Sequence, residues 1–173
     1  MLNNIIKFID WIGYLGPQIL FFTSLSLLYK KSTLFSGYVI GNIINILLNF
    51  ILKGIFRQPR PTEDSHIFNA YVANGKRLGY DKFGMPSGHA QTAFFSTTFM
   101  YFALNNTNNT IVAIYLLISF ITVYQRIKYK NHTVMQVIVG SIIGTNLGFY
   151  FYNQSVNKIT GLLNFKTDDD GPI

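Results

Sequence analysis

The distribution of charge constrains this chain most, because its 14 Lys and Arg and its 7 Asp and Glu leave five long segments without a single charge. The charge-free segments are 11–29, 34–52, 90–104, 111–124 and 133–152. The first, second and fifth are close to the roughly 20 residues that cross a hydrocarbon core of about 30 Å. The third and fourth reach that length only with flanking polar residues. The sequence therefore predicts an all-α polytopic bundle of about five transmembrane helices.

The main alternative is a globular α/β protein with buried strands. Buried strands run only about 4 to 8 residues between turns, so the charge-free segments are too long for them. Charged residues make up 12% of the chain, well below the roughly 25% of soluble domains. The net charge of +7 leaves nucleic acid, a membrane surface or a phosphorylated substrate open as partners. With the apolar segments assigned to a bilayer, nucleic acid is not expected.

The chain has no internal repeat and no linker, which predicts one membrane-embedded domain over residues 1–160 and a polar acidic tail over 161–173. The first apolar segment lacks the cleavage site of a removable signal peptide, so we expect it to stay. Absence of cysteine excludes disulfides and a thiolate nucleophile. Segment 57–85 is longer than an ordinary helix connection, and such long loops are usually functional.

Five crossings would place the amino terminus, segment 57–85 and segment 125–131 on one face of the membrane. This face carries ten Lys and Arg, and the other face carries four. The positive-inside rule then favours a cytoplasmic location for the first face.

Three short segments on that face carry chemically active side chains at fixed spacing. The segments are Lys53-x6-Arg60-Pro61, Pro86-Ser87-Gly88-His89 and Arg126-x5-His132. Because the alternating crossings place all three segments on one face of the membrane, the segments can converge on a single site.

The cations and the start of the third helix suit a phosphoryl group. Arg60 and Arg126 offer planar bidentate contacts and Lys53 offers a point charge. Ser87 and Gly88 open a helix, whose exposed N–H groups and positive dipole end bind anions. The segments therefore predict a phosphate site.

Two of the three histidines of the chain lie in these segments. One imidazole can attack phosphorus while the other protonates the leaving oxygen. This chemistry needs no metal and no cofactor. The third histidine, His66, lies near Glu63 and Asp64, but their spacing matches no metal-ligand pattern, and an exposed loop histidine is the simpler interpretation.

The three ordered motifs, spanning residues 53–136, resemble the type 2 phosphatidic acid phosphatase superfamily of membrane lipid phosphatases, related in fold to vanadium haloperoxidases. The family pattern is Lys-x6-Arg-Pro, Pro-Ser-Gly-His and Ser-Arg-x5-His-x3-Asp. The resemblance implies that His132 is the nucleophile that forms a phosphohistidine, and that His89 is the acid and later the base for water. The implied phosphate ligands are Lys53, Arg60, Ser87, Gly88 and Arg126.

Two positions depart from the pattern. Gln125 replaces the Ser, and Gln136 replaces the Asp that orients the nucleophilic histidine. Gln136 lies one helical turn after His132, so its amide oxygen can still accept the imidazole N–H. The surrounding residues resemble most the dolichyl diphosphatase branch, in which Gln is usual at this point and Ser is usual where Gly88 stands.

The sequence thus predicts an integral multi-pass membrane enzyme that hydrolyses a polyprenyl, dolichyl-like diphosphate or phosphatidate. A weak or inactive lipid-phosphate-binding protein and a lipid phosphotransferase are the alternatives. The dolichyl diphosphatase resemblance implies a lumenal active site, against the cytoplasmic location that the charge distribution favours. Substrate, orientation and oligomeric state stay open.

Overall fold

The structure is a computed structural model that describes residues 2–61, 72–73, 76–77, 79–104 and 108–156. Five α-helices account for most of this part of the chain, which confirms the all-α prediction. They are α1 (Leu2–Leu28), α2 (Ser32–Phe56), α3 (Gly88–Ala103), α4 (Asn109–Lys128) and α5 (Val134–Gln154). The connection between α2 and α3 contains β1 (Val72–Ala73), antiparallel to β2 (Lys76–Arg77), and a 3-10 helix, Gly79–Lys82. The predicted tail, the end of the predicted domain and the cluster around His66 lie outside the described residues.

Four of the helices are long and apolar enough to cross a membrane: α1, α2, α4 and α5. The remaining predicted span corresponds to α3, which is shorter, since its 16 residues cover only about 24 Å at 1.5 Å per residue. α3 packs against all four of the other helices. A helix surrounded by protein on every side need not match the thickness of the bilayer.

Helix α2 shows which surface of the bundle faces lipid. Ile43, Leu47 and Ile51 are 54%, 57% and 55% exposed. The opposite face of α2 carries three Asn and a Lys, and all four are buried. This inside-out distribution is that of an integral, multi-pass membrane protein, as the sequence predicts.

Helix α5 lies directly against the backbone of α3. A Cβ atom added at Gly140 or Gly144 would lie 2.5 Å from the Ser87 carbonyl oxygen or 2.0 Å from that of Gln91. Small residues allow two membrane helices to approach this closely. The contact brings the amino termini of both helices to the same edge of the bundle.

Helix α1 packs against α4 in a similar way. A Cβ atom added at Gly16 would lie 2.0 Å from the Thr122 hydroxyl oxygen, and one at Gly13 would lie 2.6 Å from Cβ of Gln125. At the edge of the bundle near the motifs, the Asp10 carboxylate accepts hydrogen bonds from Lys128 Nζ at 2.7 and 2.8 Å. The ion pair fixes the end of α4 against α1.

Candidate active site

The first motif begins at the carboxyl end of α2. Arg57 ends the helix in the left-handed conformation, with φ 48°, and its N–H donates to the Lys53 carbonyl at 3.0 Å. This turn directs the chain across the edge of the bundle. Lys53 is 5% exposed, and the Arg60 side chain extends back toward it. The two cations of the motif therefore meet below the surface.

The second motif forms the start of α3. Ser87 is the N-cap, and its hydroxyl accepts from the Ala90 N–H at 3.5 Å. The Ser87 N–H donates to the Gln136 carbonyl at 3.0 Å, which ties the turn to α5. On the other side, Asn49 lies so close that a Cβ at Gly88 would be 3.1 Å from its Oδ1. Since the first turn of a helix has no intrahelical acceptors, its N–H groups suit an anion.

The spacing of Arg126 and His132 has a structural reason. Lys130 is left-handed, with φ 50°, and donates to the Ile127 carbonyl at 2.9 Å. The Asn131 N–H donates to the Arg126 carbonyl at 3.0 Å, which completes a Schellman motif. The His132 N–H reaches the same carbonyl at 3.2 Å. The end of α4 thus folds the histidine back beside the arginine.

His132 is held at both ring nitrogens. Nδ1 lies 2.9 Å from the Gly84 carbonyl oxygen and 3.3 Å from Gln136 Oε1. Both are acceptors, so Nδ1 carries the proton and the lone pair is on Nε2. Arg60 Nη1 lies 2.9 Å from Nε2 and donates to it.

The same surroundings keep the imidazole neutral. The pKa of His132 lies well below its usual range. Burial is the main cause, and the positive charges of Arg60 and Arg126 lower the pKa further. A neutral imidazole that carries a lone pair on Nε2 is the form that can act as a nucleophile.

Gln136 links all three segments rather than only the histidine. Its Oε1 accepts from the Thr133 N–H at 3.2 Å in a capping box. Its Nε2 donates to Gln58 Oε1 at 3.0 Å and to the Pro59 carbonyl at 2.9 Å. The prediction that Gln136 accepts from the imidazole fits the 3.3 Å distance, but the shorter bond is the one to Gly84.

His89 lies in the first turn of α3, inside the bundle. Its ring is 5.9 Å from that of Tyr14, and it is hydrogen-bonded to the Tyr14 backbone. Its Nε2 is buried and has no hydrogen-bond partner among the described residues. An unsatisfied buried nitrogen is costly, so one at a candidate site suggests a group that a ligand satisfies.

Residues outside the three motifs complete the site. Asp81, in the 3-10 helix, pairs with Lys53 Nζ and lies 3.0 Å from Arg60 Nη2. Asn49 donates to Gln91 Oε1 at 2.8 Å and so joins α2 to α3 below the second motif. The helical step of four from Asn49 to Lys53 was a usable signal. Nothing in the sequence distinguished Asp81 from the other acidic residues of its segment.

The structure thus brings all the predicted site residues to one edge of the bundle. Direct side-chain contacts join Lys53 and Arg60 through Asp81, and Arg60 to His132. The remaining positions lie at the same edge through backbone hydrogen bonds, close packing or electrostatic interaction with the histidines. They are Ser87, Gly88, His89, Arg126 and Gln136. Gln125 is buried, and its Oε1 accepts a hydrogen bond from Arg126 Nη1 at 3.4 Å. Among the residues that the structure describes, no group of three or more His, Asp or Glu could hold a metal ion.

The described residues form a multi-pass helical bundle in which His132, Lys53 and Arg126 are buried at one edge, with the buried Nε2 of His89 at the same edge. The chain belongs to the PAP2 superfamily, whose family model matches residues 34–160. This confirms the superfamily that the motifs indicate, and the relatives described next agree with the dolichyl diphosphatase branch.

Relatives of known name are consistent with this membership. The chain is 33% identical over 135 residues to dolichyldiphosphatase of Saccharomyces cerevisiae, covering 72% of this chain and 54% of the relative. It is 27% identical over 146 residues to dolichyldiphosphatase 1 of Homo sapiens, covering 75% and 57%. It is 34% identical over 120 residues to lipid phosphate phosphatase epsilon 2, chloroplastic, of Arabidopsis thaliana, covering 66% and 37%. The chain therefore spans little more than half the length of the dolichyldiphosphatases it matches. No solved structure matches the chain.

Proposed function

We propose that the protein is a membrane lipid phosphatase that hydrolyses a polyprenyl diphosphate or phosphatidate through a phosphohistidine on His132. The observation that carries this proposal is the state of His132. Gly84 holds the proton on Nδ1, and the lone pair of Nε2 faces the Arg60 guanidinium. A nucleophile aimed at a cation that binds phosphate is the arrangement that phosphoryl transfer needs.

In the first step, His132 Nε2 attacks the terminal phosphorus, and the bond from this phosphorus to the leaving oxygen breaks. The leaving oxygen is the bridging oxygen of a diphosphate or the glycerol oxygen of phosphatidate. His89 Nε2 delivers a proton to that leaving oxygen. Lys53, Arg60 and Arg126 neutralise the charge on the equatorial oxygens. The products are a phosphohistidine and the lipid without its terminal phosphoryl group, which is a polyprenyl monophosphate or diacylglycerol.

In the second step, His89 takes a proton from water, which attacks the phosphohistidine. The bond between phosphorus and Nε2 breaks, and inorganic phosphate leaves. As attack builds positive charge on the His132 ring, the Gly84 carbonyl and Gln136 Oε1 stabilise the Nδ1 proton. Every group is a side chain or carbonyl of this chain, so hydrolysis proceeds without a metal.

For the lipid, a polyprenyl diphosphate is favoured over phosphatidate. Two of the three relatives above carry the name dolichyldiphosphatase, and the third is named as a lipid phosphate phosphatase. The Gly-Met-Pro-Ser-Gly-His-Ala-Gln segment and Gln136 fit the first group best.

The test is phosphate release by purified protein in detergent with EDTA present, with a prenyl diphosphate and phosphatidate compared side by side. We expect release from both, faster from the diphosphate, and none from His132→Ala. His66→Ala, outside the motifs, is the matched control and should retain activity. Release by His132→Ala at the parent's rate would remove the nucleophile from the mechanism.

A neutral Gln136 stabilises a developing imidazolium less than a carboxylate would, which favours a lipid-phosphate binder as the second candidate. Such a protein would bind the lipid without accumulating phosphohistidine. A phosphotransferase would instead form the intermediate and pass phosphate to an added alcohol faster than to water.

A further inference from the structure

Asp81 holds a position that no motif assigns. Its Oδ1 contacts both Lys53 Nζ and, at 3.0 Å, Arg60 Nη2. Its backbone carbonyl accepts from Arg60 Nε at 3.1 Å and from Nη2 at 2.9 Å. One carboxylate oxygen therefore lies between the two cations of the first motif.

The location of Asp81 suggests an entrance. Its side chain is 26% exposed, whereas those of Lys53 and Arg60 are 6% and 3% exposed, so the carboxylate lies on the outer side of the two cations. The 3-10 helix that carries it rests on α2, with the Tyr80 and Phe50 ring centroids 5.0 Å apart. Of the three groups, the Asp81 carboxylate is the most accessible to an anion from solvent.

The guanidinium of Arg60 links this contact to the nucleophile. While Nη2 binds the Asp81 carboxylate, Nη1 donates to the Nε2 lone pair of His132. In this arrangement the charge of Arg60 is neutralised by Asp81, and the Nε2 lone pair of His132 is occupied by Arg60. Arg60 must release the Nε2 lone pair, and its charge must become available to phosphate, before Nε2 can attack phosphorus.

We propose that the Asp81 carboxylate occupies the position of a substrate phosphate oxygen on Lys53 and Arg60, and that substrate phosphate displaces it. Asp81 is then an internal competitor that sets the affinity of the site for phosphate. This inference rests on the proposed function in one respect, that the anion taken up is phosphate. The inference goes beyond the proposed function because it assigns a residue that weakens phosphate binding.

The physical argument is one of exchange. A tethered carboxylate competes at a high effective concentration, so the site admits only an anion that binds the cations better. A phosphate with two or more negative charges meets this condition. Removing the competitor's charge leaves two buried cations with greater attraction for an anion, and a neighbouring charge typically changes such an equilibrium at least tenfold.

The experiment is calorimetric titration of the purified full chain with inorganic phosphate. Asp81→Asn keeps the backbone carbonyl that accepts from Arg60 and removes only the charge. We expect it to bind phosphate on the order of tenfold more tightly than the parent. Asp168→Asn, which makes the same charge change in the tail, should bind like the parent. Adding Lys53→Gln to Asp81→Asn should cancel the gain.

Asp81→Ser provides a second variant if the amide does not fold, as judged by thermal unfolding. Unchanged or weaker phosphate binding in a folded Asp81 variant would overturn the inference, because Asp81 would then be a permanent support for the two cations. Tighter binding without lipid hydrolysis by the parent would uphold the exchange and reject the proposed phosphatase. Hydrolysis by the parent without tighter binding in the variant would do the reverse. No phosphate binding in any variant would also overturn the inference.

Discussion

At the scale of single residues, Gln136 makes a set of hydrogen bonds that a carboxylate could not make. Its amide accepts a hydrogen bond on one side and donates on the other, to Gln58 and to the Pro59 carbonyl. A carboxylate has no hydrogen to donate. The amide is therefore what joins the segment after α2 to the start of α5.

Gln136→Glu should lower the stability of the fold by about 1–3 kcal/mol, because the Pro59 carbonyl loses its donor and faces a carboxylate instead. Thermal unfolding in detergent measures the change. Gln154→Glu, at the far end of α5, is the matched control and should have a smaller effect. Equal stability of Gln136→Glu and the parent would show that the amide donor contributes nothing.

His132 makes stability depend on pH in a definite direction. Its pKa in the fold is lowered below the value of about 6.5 in the unfolded chain, so between these values the unfolded chain binds more protons. Stability should therefore fall as pH drops below about 6.5. His132→Gln removes this contribution, and its unfolding temperature should fall less steeply between pH 7 and pH 5. Parallel curves for the two proteins would contradict the lowered pKa.

The side chains of the three motifs were predictable as site residues, because the residue types and their spacing indicate the chemistry directly. Lys53, Arg60 and His132 lie together as the spacing predicts. The Gly84 carbonyl was not predictable as the partner of His132 Nδ1, because every residue has a carbonyl and only the fold selects one. Asp81 was equally hidden, in a segment where no regular period relates a residue to the site.

At the scale of elements, the contact between α3 and α5 sets the geometry of the site. Gly144 faces the Gln91 carbonyl, where an added Cβ would lie only 2.0 Å from the oxygen. The backbone of α3 cannot yield at one residue without moving the whole turn that carries Ser87.

Gly144→Ala should therefore force α5 away from α3, at a cost of about 1–3 kcal/mol in stability. Phosphate release should fall with it, since Ser87 and His132 would separate. Ile142→Ala, on a lipid-facing position of the same helix that is 56% exposed, is the control and should change both far less. Thermal unfolding and the release assay decide, and an unaffected Gly144→Ala would contradict the close contact.

The helices themselves were predictable to within a few residues at most ends, because a charge-free run reports directly on a lipid environment. α1 begins well before its charge-free run, at Leu2 rather than at position 11. Asp10 explains the difference, since its pairing with Lys128 allows a charge inside the helix. The short α3 was not predictable as a central helix, since a helix buried in protein and one facing lipid both read as apolar.

At the scale of the whole molecule, the site lies at one edge of the bundle, where α2 and α4 end and α3 and α5 begin. The turn between α1 and α2 lies at the opposite edge. This is the arrangement that alternating crossings predict. The basic residues favour a cytoplasmic face of the membrane for the site, and the resemblance to dolichyl diphosphatases favours a lumenal one.

Because the sequence has no cysteine, single cysteines can report the topology without background. Tyr29→Cys, in an exposed turn, and Arg57→Cys, beside the site, should react with a membrane-impermeant maleimide from opposite sides of sealed vesicles. Labelling of both from the same side would contradict the arrangement of α2 as a span.

The central claim is that Nε2 of His132 takes up the phosphoryl group. The most direct measurement is mass spectrometry of the His132 peptide after rapid quenching of the protein with a prenyl diphosphate. We predict a phosphate on His132 in the parent and none in His132→Ala. Turnover of the lipid with no phosphate on His132 at any quench time would contradict the claim.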